Sequence, residues 1–225
     1  MKRIFISKNP DEVLSLSKFC EQHNVQLLAK SLISFEAVAF ELKEDFDVVF
    51  FSSIRAANYF LQKNLPISTT VKFACMGKET EKKLKKIGIS CAFVGKESGN
   101  PNKVSHDFAS WLEDRKVLFP HSNLSLFSIL QNLDPIQYQK IQVYQTNSLR
   151  CLIPKNDIYI FTSPSNFFSF AEENEITEKA LVFAFGKSTS KAIKAKSKIS
   201  VLTLKEANLF ELEEEILHSL KLLNY

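Results

Sequence analysis

The sequence is poor in the features that usually identify a function. It has 5 glycines and 4 cysteines in 225 residues, and no apolar run approaches the roughly 18 residues that a membrane-spanning helix needs. The cysteines (Cys20, Cys75, Cys91 and Cys151) form no C-x-x-C pair, and the four histidines show no ligand spacing. We therefore expect buried thiols, no disulfide and no metal site.

The net charge limits the class of partner, and the first residues indicate a strand. The formal net charge is +4, which is too small to predict a nucleic-acid surface but is compatible with an anionic small molecule. Residues 1–3 (M-K-R) precede only three apolar residues, which is typical of a first strand and not of a signal peptide. We expect a cytoplasmic monomer with no nucleic-acid partner and no membrane partner.

The most informative stretch is F-T-S-P-S at residues 161–165. Apolar residues 158–161 lead into it and a helix-like run follows at 166–171, which predicts a buried strand that turns into a helix N-terminus. Such a junction presents free backbone N–H groups and the positive end of a helix dipole, so it predicts an anion site. A second junction of this kind, G-K-S-T, follows at residues 186–189.

Both phrases also occur earlier, in the same order. Residues 48–55 (V-V-F-F-S-S-I-R) match the first phrase and residues 73–80 (F-A-C-M-G-K-E-T) match the second. The offsets are 161 − 51 = 110 and 186 − 77 = 109. A nearly constant offset indicates a duplicated unit, so we expect two domains of roughly 110 residues each.

Strands and helices alternate through the chain, which predicts an α/β protein with two flavodoxin-like parallel-sheet domains. Five strands are predicted between residues 40 and 143, and five more in the rest. We therefore expect an inserted domain, 40–141, within a discontinuous domain, 1–33 plus 150–225. Segments 34–39 and 142–149 would be the two chain crossings, paired as an antiparallel two-stranded hinge.

Local patterns add predictions of single elements. Residues 11–23 have helical spacing, and a final amphipathic helix is predicted at 207–222. Residues 120–123 are predicted to be a loop, followed by a helix at 124–133.

The two Gly-Lys turns invite comparison with the P-loop. That motif requires a glycine five positions before the Gly-Lys pair, and Lys72 and Leu181 stand there instead. We therefore exclude P-loop nucleotide hydrolysis. Each turn is either a tight strand-to-helix connection with a capping hydroxyl or a ligand-facing loop, and its presence in both copies favours the second interpretation.

Ligands of open parallel sheets bind beyond the carboxyl ends of the strands. With two domains, these ends could face each other across an anion-binding cleft. Lys78 and Lys187 would line it, unless they are solvated surface lysines. Arg55 is a stronger candidate, because a cation at a helix start is unfavourable against the dipole. The candidate substrate-binding residues are Lys8, Ser52, Ser53, Arg55, Gly77, Thr80, Thr162, Ser163, Pro164, Gly186, Ser188 and Thr189.

Two further residues are candidates for proton transfer. Tyr144 lies in V-Y-Q-T (143–146) at the second predicted crossing, where the alternative is packing of the hinge. His121 lies on the predicted loop at 120–123. No paired catalytic carboxylates, Ser-His-Asp order or Cys-His set stands out.

In order and spacing, these motifs resemble the uroporphyrinogen-III synthase family over nearly the whole chain. The strongest matches are residues 161–164, 186–189 and 143–146. In the first copy, Ser52 replaces the family's usual Thr and Ile54 its usual Pro. Lys8 stands where the first strand of the family often ends in Thr-Arg.

The resemblance implies a cyclising lyase of tetrapyrrole (heme) biosynthesis that uses no cofactor and no metal. Its substrate would be hydroxymethylbilane, a linear tetrapyrrole octacarboxylate, which loses its terminal hydroxyl as water. The azafulvene cation attacks the substituted carbon of ring D, and the spiro intermediate recloses with ring D inverted to give uroporphyrinogen III. The resemblance assigns Tyr144 to departure of the hydroxyl. Transient handover from the upstream deaminase is a further expectation.

Two other classes stay open at this stage. One is a non-enzymatic anion-binding module built from two receiver-like or periplasmic-binding-like domains, although the strand ends carry Ser, Thr, Gly and Pro where receivers need acidic residues. The other is a phosphosugar-binding enzyme with similar loops. The inserted domain with its two crossings favours the synthase.

Overall fold

The computed structural model describes residues 1–42 and 45–222. Eleven strands are found in this part of the chain: β1 (Arg3–Ile6), β2 (Gln26–Ala29), β3 (Ile33–Ala37), β4 (Val48–Phe51), β5 (Lys72–Cys75), β6 (Cys91–Val94), β7 (Val117–Ser122), β8 (Tyr138–Ser148), β9 (Ile158–Phe161), β10 (Leu181–Ala184) and β11 (Leu202–Thr203). Its α-helices are α1 (Leu14–Gln22), α2 (Ile54–Leu61), α3 (Lys78–Lys86), α4 (Pro101–Leu112), α5 (Pro164–Glu173), α6 (Lys187–Lys196) and α7 (Leu209–Leu222).

The chain divides into two units. Unit 1 comprises Met1–Ser34 and Asn147–Tyr225, and unit 2 comprises Phe35–Thr146. Unit 1 has a five-stranded sheet in the order β11-β10-β9-β1-β2, in which neighbouring strands run parallel. Numbered along its own chain, this is the 2-1-3-4-5 order of the flavodoxin type. The predicted fold class, with one α/β unit inserted into the other, is confirmed.

Apart from β3 at one edge, unit 2 has the same arrangement of strands in space, but its first strand along the chain occupies a different place in the sheet. Its sheet runs β3-β8-β7-β4-β5-β6. If β4 and β5 are superposed on β9 and β10, as the sequence repeat requires, β7 and β8 fall on β1 and β2. The two strands that come first in unit 1 therefore come last in unit 2, and the second copy is circularly permuted relative to the first.

The strand registers support this superposition. Val48 pairs with Lys72 and Val117 in unit 2, as Ile158 pairs with Leu181 and Ile4 in unit 1. One residue earlier, each copy has an aspartate: Asp47 accepts a hydrogen bond from the Lys116 N–H, and Asp157 accepts one from the Arg3 N–H, both at 2.8 Å. The same carboxylate thus ties the starts of the two neighbouring strands together in both units.

Helices cover both faces of each sheet, so the central strands are apolar throughout. All four residues of β4 and all four of β9 are buried. Each unit has two clusters of buried side chains, one on each face of its sheet. This is the burial pattern of parallel sheets, whose strands have no solvent face.

The two segments that connect the units pair with each other, as predicted. The Val38 N–H donates to the Val143 carbonyl and the Leu149 N–H to the Leu32 carbonyl, which makes β3 and β8 antiparallel. They are not a separate ribbon, however. β8 also pairs in parallel with β7 along most of its length, so both connecting strands extend the sheet of unit 2.

The predicted helix at 124–133 is wrong. This stretch holds a turn and a single 3-10 helix, Ser128–Leu130. Ile129, Leu130 and Leu133 are buried, but Leu124 and Leu126 are 54% and 92% exposed, so the apolar residues do not form one helical face. The loop predicted at 120–123 is also partly wrong, because β7 continues through Ser122.

One predicted helix is shorter in the structure. The helix predicted at 11–23 begins at Leu14, after a 3-10 turn at Pro10–Glu12.

Four free thiols are found, of which two are buried and two half-buried. Among the described residues, no helix is long and apolar enough to cross a membrane.

The Asp157 carboxylate provides a test of the repeated strand connection. Burial alone would raise the pKa of Asp157, but the Arg3 N–H and the Lys2 ammonium that bind the carboxylate hold the pKa below its usual value. A carboxylate with a depressed folded-state pKa stabilises the fold above its unfolded-state pKa, and this contribution is lost as the pH falls through the folded-state pKa.

We predict that Asp157→Asn lowers the free energy of unfolding by about 1 kcal/mol near neutral pH, since the carboxylate is partly solvated. The difference from the native chain should shrink once the pH falls below about 4. Denaturant unfolding at several pH values measures it. Asp114→Asn, at an exposed aspartate, is the control. A pH-independent difference would contradict the role given to the charge.

Candidate functional site

The same capped junction follows β4 and β9. Ser53 and Ser163 are the N-caps of α2 and α5, and each side-chain oxygen accepts a hydrogen bond of 3.2 Å from a helix N–H, that of Ala56 or Asn166. Pro164 occupies the first turn of α5, where its fixed φ and missing N–H are favourable. These three predicted site residues therefore have a clear structural role in starting the helices.

The hydroxyl just before each cap is in a different state in the two units. Thr162 is bound to Ser7: its N–H donates to the Ser7 side-chain oxygen at 2.9 Å and its hydroxyl donates to the Ser7 carbonyl at 2.8 Å. Ser52, its counterpart, is exposed and has no side-chain hydrogen bond to any residue that the structure describes.

The second pair of turns follows β5 and β10. Gly77 and Gly186 are the N-caps of α3 and α6, and no side chain caps either helix. The first N–H groups of these helices are thus left for solvent or an anion. Thr189 in the first turn of α6 is 1% exposed as a residue, and its hydroxyl, which is not fully shielded from solvent, makes no hydrogen bond within the described chain. Its counterpart Thr80 is half-buried and Ser188 is exposed.

The two glycines are required for different reasons. Gly186 has φ +97° and ψ 170°, a conformation open essentially only to glycine, and nothing lies within 4 Å of where a Cβ would stand. Gly77 is extended, with φ 177°, but a Cβ there would lie 2.7 Å from the Cβ of Ser98. One turn therefore needs backbone freedom and the other needs space.

The predicted cations are less uniform. The Lys8 ammonium forms an ion pair with Glu12 at 3.2 Å. The Arg55 guanidinium lies 3.5 Å from the centre of the Phe35 ring, so a cation–π contact accompanies its position at the start of α2. Lys78 and Lys187 begin α3 and α6 and are exposed.

Tyr144 occupies an aromatic pocket of unit 2. The register of β7 against β8 shifts so that Ser122 faces Tyr144 and Val143 is bulged out of the pairing. The bulge directs two successive side chains, Val143 and Tyr144, into the same core cluster. The Tyr144 ring stacks on Tyr59 at 5.1 Å and meets Phe35 edge-on at 6.1 Å.

Tyr144 is only 7% exposed, and its hydroxyl has no hydrogen-bond partner among the described side chains and backbone groups. The packing alternative raised from the sequence therefore accounts for the ring but not for the hydroxyl. Phe35 touches both the Tyr144 ring and the Arg55 guanidinium. Phe35, which no motif predicted, thus contacts two predicted site residues of unit 2, Tyr144 and Arg55.

His121 lies at the end of β7 beside a small cavity of about 120 Å³ that is also lined by Ser52, Phe119 and Phe127. Its Nδ1 is 2.9 Å from the Ser122 carbonyl, so Nδ1–H donates. Its ring packs edge-on against Phe127, centre to centre 4.8 Å. Phe127 itself has φ +51°, which is strained for a bulky residue.

The predicted residues thus fall into two sets, one at the carboxyl edge of each sheet. Unit 1 carries Lys8, Thr162, Ser163, Pro164, Gly186, Ser188 and Thr189, and unit 2 carries Ser52, Ser53, Arg55, Gly77, Thr80 and Tyr144. Their binding roles stay predictions. The motifs gave no sign of Ser7 or of buried Asn166, which binds the Leu32 N–H and the Ser163 hydroxyl.

The class of protein is defined by two α/β units, one inserted into the other, that carry the same pair of strand-to-helix turns. The family model for uroporphyrinogen-III synthase HemD matches residues 15–211. The chain belongs to the uroporphyrinogen-III synthase family, and the resemblance predicted from its motifs is confirmed. Membership makes it a cyclising lyase of heme biosynthesis, in a family that acts on hydroxymethylbilane.

Solved structures support the fold. Uroporphyrinogen-III synthetase from Helicobacter pylori 26695 is 20% identical, with a TM-score of 0.66 over 98% of this chain and 100% of that one. A mutant uroporphyrinogen III synthase from the extremely thermophilic bacterium Thermus thermophilus is 13% identical, with a TM-score of 0.64 over 98% and 99% of the two chains. A search of curated protein sequences finds no significant match.

The two glycine turns give a prediction with an internal control. Both Gly77→Ala and Gly186→Ala should lower the free energy of unfolding by roughly 1–3 kcal/mol, through crowding in the first case and backbone strain in the second. Adding Ser98→Gly should restore most of the stability of Gly77→Ala, because it removes the clashing Cβ. Chemical denaturation of the two single variants, Ser98→Gly and the double variant gives the coupling energy.

No neighbouring substitution can relieve Gly186→Ala in this way, since nothing lies within 4 Å of the new Cβ. A double variant as unstable as Gly77→Ala, after allowance for Ser98→Gly alone, would show that space is not what the first turn requires.

Proposed function

We propose that this chain converts hydroxymethylbilane to uroporphyrinogen III with loss of water and inversion of ring D, using the donor-rich turns of both units to bind the carboxylates. The observation that carries the proposal is the repeated pair of junctions, Ser53 with Gly77 and Ser163 with Gly186, at the carboxyl edge of each sheet. The family assignment supplies the reaction, and these junctions supply chemistry suited to a polyanionic substrate.

The balance of charge suits a substrate with many carboxylates. Backbone N–H groups at helix starts bind anions without the need for an equal number of buried cations. In this chain, α3 and α6 begin without a side-chain cap, and Thr189 adds an unpaired hydroxyl beside one of them. Arg55, Lys78 and Lys187 supply positive charge at the same edges of the sheets, whereas the charge of Lys8 is balanced by Glu12.

Positioning is the main catalytic task. The linear substrate cyclises unaided to the isomer without inversion, so the protein has to favour one arrangement of the chain ends. Fixing two reacting groups in a productive arrangement can supply roughly 7–11 kcal/mol in favourable cases. Many weak donors at fixed backbone positions are well suited to this task, because they hold the substrate at several points and transfer nothing to it.

Departure of the hydroxyl calls for a hydrogen-bond or proton donor, and we assign this role to Tyr144. Its ring is fixed between Tyr59 and Phe35, and its hydroxyl is left without a partner in the described chain. A phenol is a weak acid near neutral pH. The expected contribution is therefore a hydrogen bond that strengthens as negative charge develops on the leaving oxygen.

The remaining partners belong to the same proposal. We expect a cytoplasmic monomer that receives its labile substrate by transient handover from the upstream deaminase, and that binds neither nucleic acid nor a membrane. Analytical ultracentrifugation at low micromolar concentration, with and without the deaminase, tests the monomer and the handover together.

The reaction is tested by an isomer assay. Hydroxymethylbilane is generated with its deaminase, this protein is added, and the oxidised porphyrins are separated by chromatography. We predict predominantly isomer III. Isomer I alone, at the spontaneous rate and with demonstrably folded protein, would contradict the proposal and favour a non-enzymatic anion-binding module.

Tyr144→Phe tests the donor. We predict a turnover number lower by about 10²-fold, which is the low end of the usual contribution of a positioned proton donor, with little change in stability because the ring contacts are kept. Tyr59→Phe is the matched control, since it removes a hydroxyl from the stacked partner ring. Equal rates for Tyr144→Phe and the native chain would remove Tyr144 from the mechanism.

A further inference from the structure

Each sheet has one crevice between adjacent strands whose connections leave in opposite directions. This is where open α/β sheets bind ligands. In unit 1 the crevice lies between β1 and β9, and in unit 2 between β7 and β4. Counting on from the paired residues Ile4–Ile158 and Val117–Val48, Ser7 corresponds to Pro120 and Lys8 to His121.

The crevice of unit 1 is closed by its own hydrogen bonds. The Ser7 side-chain oxygen accepts from the Thr162 N–H, and the Thr162 hydroxyl donates to the Ser7 carbonyl. The cation next to Ser7 is also engaged, because Lys8 pairs with Glu12. The polar groups at this point therefore satisfy one another.

The crevice of unit 2 is open because Pro120 replaces Ser7. Proline has no hydroxyl, so it cannot accept the Ser52 N–H as the Ser7 hydroxyl accepts the Thr162 N–H. The Ser52 hydroxyl also makes no hydrogen bond within the described chain, although Pro120 keeps the carbonyl to which Thr162 donates in unit 1. At this point there is a cavity of about 120 Å³, lined by Ser52, Pro120, His121 and the strained Phe127. This volume accommodates several water molecules, or a carboxylate on a short alkyl arm.

His121 lines this cavity with its ring held in place. Its Nδ1–H is fixed by the Ser122 carbonyl at 2.9 Å, and Phe127 holds the ring edge-on. Nε2 is left as the one ring nitrogen with no hydrogen bond inside the described chain. When the ring is protonated, Nε2–H donates a charge-assisted hydrogen bond, which is the stronger kind for a carboxylate. No acidic side chain of the described residues lines the cavity to compete for it.

We propose that the β7–β4 crevice of unit 2 is a subsite for one carboxylate-bearing side arm of the substrate, with His121 as its cation and Ser52 as its hydroxyl donor. The corresponding crevice of unit 1 takes no side arm, because Ser7 and Thr162 are already hydrogen-bonded to each other. The identity of the arm as part of a tetrapyrrole rests on the proposed function. The binding of a carboxylate by His121 does not.

The direct test is a titration of the native full-length chain with sodium propionate, followed by the imidazole resonances in NMR at about pH 6, where imidazoles are commonly protonated. The spectrum of His121→Gln identifies the His121 signal. We predict a saturable shift of that signal and no saturable shift for His106, which lies exposed on α4 of the same unit. An unresponsive His121 signal, or equal drift of both histidines, would overturn the subsite.

Kinetics with hydroxymethylbilane then separate charge from shape. His121→Gln should raise KM about tenfold, as expected for the loss of one charge-assisted hydrogen bond, with kcat within about twofold. His121→Lys, which introduces the residue found at the equivalent position of unit 1, should keep KM within about threefold of the native value. His106→Gln should change neither constant. Equal KM values for His121→Gln and the native chain, or equal losses in the Gln and Lys variants, would contradict a role for the charge.

The two proposals fail in distinguishable ways. If the chain forms isomer III but the His121 signal does not respond to propionate, the synthase reaction is supported and the subsite is contradicted. If the His121 signal shifts saturably but the chain yields only isomer I, a carboxylate site is supported and its assignment to a tetrapyrrole substrate is contradicted. Should His121→Gln fold poorly, assignment can rest on His121→Lys, and the titration of the native chain still decides.

Discussion

The common direction of the strands is the constraint on which the rest of this structure depends. Because every strand of unit 1 runs the same way, as do β4 to β8 in unit 2, all strand-to-helix turns of a unit fall at one edge. Each turn leaves helix N–H groups that the helix cannot satisfy. Those same groups are costly if buried without a partner and favourable if an anion is bound, which is why the proposed contacts with the substrate lie at this edge.

The two copies of the unit show how little of this chemistry needs a particular side chain. Ser52 replaces Thr162, Ile54 replaces Pro164 and Glu79 replaces Ser188, while both serine caps keep nearly the same backbone geometry and both glycine turns begin a helix that no side chain caps. Where the copies do differ in their polar contacts, the cause is a residue that changes what the backbone can pair with. Pro120 in place of Ser7 is the clearest case, since it removes the hydroxyl that accepts an N–H of the neighbouring strand end in unit 1.

Much of the fold could be predicted from the sequence because it depends on short-range patterns. Apolar strands, capped helix starts and the offsets of 110 and 109 sufficed for two α/β units, one inserted into the other. The permutation could not be predicted, since β7 and β1 share no phrase and are related only through their pairing partners. The surroundings of Tyr144 were equally hidden, because Phe35 and Tyr59 reach it from distant segments. The helix expected at 124–133 is absent because a hydrogen bond from the Ser122 N–H to the Ser125 hydroxyl stabilises a turn there, and the left-handed backbone of Phe127 interrupts any helix.

The permuted order also bears on how the chain is made. Unit 2 is continuous, so all of its strands exist once the ribosome has passed residue 148, whereas β1 and β2 must wait for β9 to find their place in the sheet of unit 1. Pairing of β3 with β8 brings residues 33 and 148 close together and turns a long loop into a short one. Closing a loop costs entropy that rises with its length. Folding of unit 2 therefore lowers the entropy cost of bringing the two parts of unit 1 together.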